Sequence, residues 1–132
     1  MTNNAVVPLQ DEQDVVRARQ AVRIRMQELQ FSLVDQTKMI TAASELARNT
    51  VIHGKGGEMG IEVVVNGTRT GVRLTFEDHG PGIDDMGLAM SDGWTSGGGL
   101  GMGLPGTKRL VNDFHIESAP GVGTKIVIAR WK

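Results

Sequence analysis

The chain contains no cysteine. That excludes a disulfide scaffold, a Cys-ligated zinc site and thiol chemistry, and it fits a reducing compartment. Neither sign of charge is in excess: 14 Lys and Arg stand against 15 Asp and Glu, for a net charge of −1. Broad electrostatic attraction to nucleic acid or to an anionic membrane is therefore not its business. No apolar run approaches the roughly 18 residues of a membrane span. The first eight residues lack the basic-then-apolar pattern of a secretion signal, so the expected location is the cytoplasm. Internal repeats and low-complexity linkers are missing too, and residues 1–132 read as one domain. A chain of this length buries roughly two-thirds of its unfolded surface. With 39% hydrophobic and 22% charged residues it suits a globular core, not a disordered tail. What it has in excess is glycine, 18 of 132 residues, roughly twice average usage, and unevenly placed.

Residues 5–9 suit a short edge strand, because Pro8 has no N–H for a ladder. Residues 11–29 read as a helix. Val15, Ala18, Val22, Met26 and Leu29 recur at three- and four-residue steps, and Asp11, Glu12 and Asp14 sit where the helix dipole favours acids. A second helix is expected over about 35–52, burying Met39, Ala43, Leu46 and Thr50, with Gly54, Gly56 and Gly57 to stop it. At about 100° per residue, Glu45 and Asn49 fall about 40° apart on one helix edge, and Arg48 points nearly the opposite way. Alternation then marks two strands, Ile61-Val63-Val65 and Val72-Leu74-Phe76, around a turn over 66–71. Strands over 114–118 and 124–130 close the chain, with Ile126 and Ile128 inward and Thr124 on their face. A helix over about 104–112 precedes them. Helices and strands come in runs, so the fold class is α+β: a two-layer sandwich with a mixed, mostly antiparallel sheet and helices on one face.

Four clusters carry chemistry. In Asp78-His79-Gly80-Pro81-Gly82-Ile83 a carboxylate occupies a position where period two calls for an apolar side chain. Buried without donors it is costly, and a purine amino group would supply one; the plainer reading is an Asp capping the following turn. Gly97-Gly98-Gly99-Leu100-Gly101-Met102-Gly103-Leu104-Pro105-Gly106 runs into a helix. Missing Cβ atoms let backbone N–H groups approach an anion; the plainer reading is a flexible loop. Glu45 and Asn49 pair a proton acceptor with an oxygen suited to a hard cation such as Mg²⁺; the plainer reading is an exposed polar pair. Gly121-Val122-Gly123-Thr124 is a tight turn feeding an inward hydroxyl, or simply a hairpin turn.

Residues 101–106 match G-x-G-x-x-G, but no strand precedes them and only 26 residues follow, too few for a dinucleotide-binding unit. A phosphate loop of the Lys-Ser/Thr type fails as well, since the order here is Thr107-Lys108.

Taken in order, Ser44-Glu45-Leu46-Ala47-Arg48-Asn49, Glu77-Asp78-His79-Gly80-Pro81-Gly82-Ile83, Ser96 through Gly106, and Gly121-Val122-Gly123-Thr124 resemble the four nucleotide-binding boxes of the GHKL (Bergerat-fold) ATPase superfamily. The resemblance runs from about residue 14 to 131 and is strongest to its switch-protein and anti-sigma kinase branch. It implies a serine/threonine protein kinase using ATP and Mg²⁺. Glu45 would be general base, Asn49 the Mg²⁺ ligand, and Asp78 the acceptor for the adenine amino group. Gly80 and Gly82 would admit the base, Thr124 would support the Asp78 contact through water, and Gly99, Gly101 and Gly103 would hold the phosphates. Residues 85–96 would form a short lid. Arg19 and His53 are candidate phosphate or partner contacts. The implied substrate is a STAS-domain antagonist of a bacterial partner-switching stress module, with a PP2C-type phosphatase as a second partner, and neither nucleic acid nor membrane. The rival readings are an anti-sigma-factor kinase that binds a sigma factor, and a non-catalytic ATP-binding adaptor.

Overall fold

The computed structural model describes residues 4–83 and 103–132. In chain order its elements are β1 (Ala5–Leu9), α1 (Glu12–Glu28), α2 (Leu33–Ile52), β2 (Gly57–Asn66), β3 (Arg69–Asp78), α3 (Gly103–Arg109), β4 (Asp113–Ala119) and β5 (Gly123–Trp131). The strands form one five-stranded sheet in the order β1-β2-β3-β5-β4. All its pairings are antiparallel, so the expected mixed character is absent among the described residues.

Both long helices start on caps. The Asp11 side chain accepts from the backbone N of Asp14 at 3.0 Å, and the Ser32 hydroxyl accepts from that of Asp35 at 3.1 Å, each satisfying an orphan donor. The Ser32 cap starts α2 at Leu33, before the expected 35. Leu33 and Val34 are exposed, so the apolar stripe gives no sign of that first turn. The stripe of α1 (Val15, Ala18, Val22, Met26) and that of α2 (Met39, Ala43, Leu46) are buried, against one face of the sheet.

That face is organised in rows across the strands. Met59, Phe76, Ile126 and Ile116 stand in one row, and Ile61, Leu74, Ile128 and Phe114 in the next. Phe76, Leu74, Met59, Ile61 and Ile128 are buried, each contributing about 1.5–3 kcal/mol by leaving water. The opposite face keeps polar neighbours, as one-sided antiparallel sheets do. There Arg73 donates to Glu62 across the strands at 2.7 Å, which holds the Glu62 carboxyl below its usual range.

Two further boundaries differ from expectation. The β2–β3 turn is only residues 67 and 68, because Asn66 already pairs with Arg69 and Gly67 takes φ 64°, a conformation glycine accepts without strain. α3 ends at Arg109, short of the expected 112: Leu110 N donates to the Thr107 carbonyl and Asn112 N has turned to the Ala129 carbonyl. Arg130 closes this end. Its guanidinium donates to the Leu110 carbonyl at 2.8 Å and to Asp35 Oδ1 at 2.7 and 3.0 Å, and it holds the Asp35 carboxyl below the ordinary carboxylate range. Among the described residues, no helix is long and apolar enough to cross a membrane.

Candidate functional site

The next row on the helix-facing side, beyond Phe76 and Ile126, is polar. Asp78 stands opposite Thr124, and Thr124 opposite Ser118. On its other flank Asp78 faces Gly57, where a Cβ would strike the Glu77 carbonyl. Asp78 is only 9% exposed. A carboxylate so covered is tolerable only if donors reach it. They do: Oδ1 accepts from the backbone N of Gly80 at 2.9 Å and from that of Thr124 at 3.3 Å. The first is the Asx-type turn expected of a strand-end aspartate, so the plainer reading of Asp78 is realised, with both bonds falling on Oδ1.

The cover comes from the end of α2. The Asn49 carbonyl accepts from His53 N at 2.8 Å and Gly54 N at 3.1 Å, which curls the chain back over the sheet. Gly54 then lies directly on the Asp78 carboxyl, where a Cβ would collide with Cγ and Oδ2. Gly80 in turn packs on Gly54, its would-be Cβ 2.7 Å from the Gly54 carbonyl oxygen. Gly82, at φ 79°, abuts the Ala119 carbonyl. The glycine identity of 80 and 82 is therefore already required by the protein's own backbone packing.

Ser118 fastens the far side. Its hydroxyl accepts from Ile83 N at 2.8 Å, lies 3.1 Å from the Gly123 carbonyl and lies 2.8 Å from the Thr124 hydroxyl. Gly121 N donates to the Pro81 carbonyl at 2.8 Å. The 78–83 turn is thus held to the β4–β5 hairpin. A recess of about 280 Å³ lies at this end of the sheet, lined by Asp78, Ser118 and Thr124 together with Glu77, Glu117 and Lys125 of the row on the opposite face. A larger concavity, about 780 Å³, lies around Val64, Arg73, Val127 and Trp131. In its wall the Trp131 indole N–H donates to Asp113, and Arg73 donates to Glu62 beside it.

One turn before Asn49, Glu45 is 5% exposed, more covered than an exposed polar pair. Arg48 does not point away from it: its Nη1 is 3.8 Å from Glu45 Oε2, because residues three apart are neighbours on a helix surface. Asn49 is half-buried. Asn49, Gly54, Asp78, Gly80 and Thr124 are thus brought together, with Glu45 on the same helix edge. Gly103 opens α3 at φ 70°, and Thr107 donates to its carbonyl at 3.0 Å. Gly99, Gly101 and residues 85–96 lie outside the described residues. Arg19 on α1 and His53 after α2 are exposed, and neither joins the hydrogen bonds around Asp78. Among the described residues no three His, Asp or Glu side chains gather as a metal site. Two members were not singled out from the sequence. Ser118 shared the signal that exposed Asp78, a polar residue ending an inward alternation of Phe114 and Ile116. Gly54 carried no signal beyond that of a helix stop.

Residues 34–132 match the model of the histidine kinase-, DNA gyrase B- and HSP90-like ATPase family. The chain is 44% identical over 131 residues to the serine/threonine-protein kinase RsbT of Bacillus subtilis, covering 99% of this chain and 98% of that one. It is 31% identical over 119 residues to an anti-sigma F factor of Clostridium kluyveri, 86% of this chain and 82% of that one. In three dimensions it is similar, at TM-score 0.70 and 18% identity, to a crystal structure of the RsbU and RsbW domains of a Mycobacterium tuberculosis protein. That match covers 99% of this chain but 33% of the longer one, and at such identity it speaks for the fold alone. A two-layer antiparallel sandwich with its polar row under the end of α2, matched over this span, belongs to the histidine kinase-, gyrase B- and HSP90-like ATPase family, in the branch of the RsbT-like serine/threonine-protein kinases.

Proposed function

We propose that this chain is a cytoplasmic, ATP- and Mg²⁺-dependent kinase that phosphorylates a serine or threonine of a STAS-domain antagonist in a bacterial partner-switching module. Once released from the phosphorylated antagonist, it engages a PP2C-type phosphatase. The observation that carries this reading is the polar row Asp78–Thr124–Ser118 on the helix-facing side of the sheet, with Asp78 covered by Gly54 beyond the end of α2.

Each residue has a task. Asp78 accepts from the adenine amino group, and Thr124 supports that contact through water. Gly80 and Gly82 shape the turn beside the base. Gly99, Gly101 and Gly103 hold the phosphates. Asn49 is the protein's ligand for Mg²⁺. This ion takes few protein ligands and keeps waters and phosphate oxygens. When bound, Mg²⁺ neutralises phosphate charge. Glu45 receives the proton of the partner's hydroxyl as its oxygen bonds to the γ-phosphorus and the bridge to the β-phosphate breaks. Its burial beside the apolar stripe holds it in one place for that transfer. Arg19 and His53, both exposed, are open to the partner or to the incoming phosphate.

The test is incubation with labelled ATP, Mg²⁺ and STAS proteins encoded nearby, followed by mass spectrometry of the acceptor. Label on a STAS serine or threonine is expected. Nucleotide binding with no label on any STAS protein favours a non-catalytic adaptor instead. The 31% identity to an anti-sigma F factor supports a second reading, an anti-sigma-factor kinase. Pull-down against sigma factors and against STAS proteins separates the two by which partner is retained.

A further inference from the structure

Arg48 is the charged residue of the 45–49 stretch that the proposed mechanism leaves idle. Around α2, at about 100° per residue, it falls about 60° to one side of Glu45, and Asn49 about 40° to the other. Its Nη1 lies 3.8 Å from Glu45 Oε2. The two side chains differ sharply in cover, 53% of Arg48 being exposed against 6% of Glu45. An ordinary ion pair on a helix surface has water around both partners and contributes little. Here the carboxylate has lost most of its water, and a covered charge needs an opposite charge beside it. The guanidinium supplies that charge from the solvent side.

The proposed transfer brings a second anion to the same carboxylate. A hydroxyl poised between Glu45 and the γ-phosphorus stands about 3 Å from each. Carboxylate and phosphoryl group then come within about 6 Å of one another, and two such charges repel unless a cation offsets one of them. Asn49, the proposed Mg²⁺ ligand, flanks Glu45 on one side, and Arg48 flanks it on the other.

We infer that Arg48 is a positioning residue for the base: its guanidinium offsets the Glu45 charge, so that a triphosphate is admitted beside an ionised carboxylate. The inference rests on the proposal that Glu45 takes the proton in phosphoryl transfer. Arg48 acts through Glu45 and not by gripping the phosphates itself. Its effect therefore belongs to the γ-phosphate, the group that meets the base.

The experiment measures dissociation constants for ATP and for ADP, both with Mg²⁺, by calorimetry. The chains are the parent, Arg48→Ala, Arg48→Lys, Glu45→Ala and the double variant Arg48→Ala with Glu45→Ala. Arg48→Ala should weaken ATP by about fivefold, the size of one partly screened charge contact, and ADP by less than about twofold. Arg48→Lys keeps the charge and should keep the ATP affinity. In the Glu45→Ala background the same loss of Arg48 should leave ATP affinity unchanged, because the carboxylate it offsets is gone. Glu45→Gln, of the same shape, takes the place of Glu45→Ala should that variant not fold. An equal loss of ATP affinity in both backgrounds overturns the inference and puts Arg48 on the phosphates directly. An ATP affinity untouched by Arg48→Ala overturns it as well and leaves the nucleotide site standing. A parent chain that binds neither nucleotide overturns the underlying reading too.

Discussion

A single carboxylate has to satisfy two sides at once. Asp78 Oδ1 receives two backbone N–H groups, from Gly80 and Thr124, and the proposed adenine amino group needs a further acceptor. Asparagine has one oxygen. If that oxygen keeps the backbone donors, the amide nitrogen meets the adenine amino group, donor against donor; if the amide flips, it meets the two backbone N–H groups. Asp78→Asn should therefore weaken ATP binding by about a hundredfold, the cost of a mismatched buried donor, read by calorimetry, and unchanged affinity would remove Asp78 from the nucleotide site. Glu45 poses the complementary case. It is buried on the α2 edge, with Arg48 Nη1 3.8 Å away, and its proposed work is on the proton and not on the nucleotide. Glu45→Ala should leave ATP affinity near that of the parent and slow phosphoryl transfer by about 10²–10⁴-fold, the usual worth of a general base. Single-turnover transfer with bound nucleotide measures this directly, and a normal rate would assign the base elsewhere.

Among elements, the ion pair of Asp35 with Arg130 ties a helix start to a strand end across 95 residues of sequence. It joins the first turn of α2 to β5, and through the Leu110 carbonyl to the end of α3. Arg130 holds the Asp35 carboxyl below its ordinary value. A carboxyl depressed in the folded chain binds fewer protons there than in the unfolded chain, whose Asp titrates near 3.9. Its stabilisation is thus fully present above about pH 4 and is lost as pH falls through the depressed value. Asp35→Asn should lower stability by about 1–3 kcal/mol at neutral pH, since the guanidinium loses its charged partner in a partly buried place. Urea midpoints should show that gap closing in strong acid, and a gap independent of pH would mean the pair contributes packing alone. The same elements mark what period and punctuation can reveal. The stripes of both long helices were legible because each buries a regular face. The first turn of α2 was not, because Leu33 and Val34 point to solvent and only the Ser32 cap announces it. The two-residue β2–β3 turn was hidden for a related reason: Val65 and Asn66 run past the cover of the helices, where nothing enforces alternation. The end of α3 depends on Arg130 reaching in from β5, a tertiary bond that no local pattern encodes.

For the molecule as a whole, the candidate site is assembled from three distant stretches, 45–54, 78–83 and 118–124. Period two, read on each of two strands, turned Asp78 and Thr124 inward from sequence alone. That Gly54 caps the carboxyl follows from how α2 lies on the sheet, and so became visible only in the packed chain. A ligand touching all three stretches binds the folded chain and not the unfolded one, so nucleotide must raise stability by mass action. At one hundred times its dissociation constant the gain is about 2.7 kcal/mol, enough to lift the melting temperature of a chain this size by roughly 10 °C. Removing the metal divides that gain. Chelation by EDTA leaves the phosphates without their counter-charge, so ATP should give a smaller rise than ATP with Mg²⁺. Asn49→Ala removes the proposed protein ligand, and its rise with Mg²⁺ should drop to the level seen with EDTA. Thermal scans of both chains under both conditions decide this. Equal rises with and without Mg²⁺ in the parent chain would separate the metal from nucleotide binding, and a Mg²⁺ increment that survives undiminished in Asn49→Ala would place the metal on other residues.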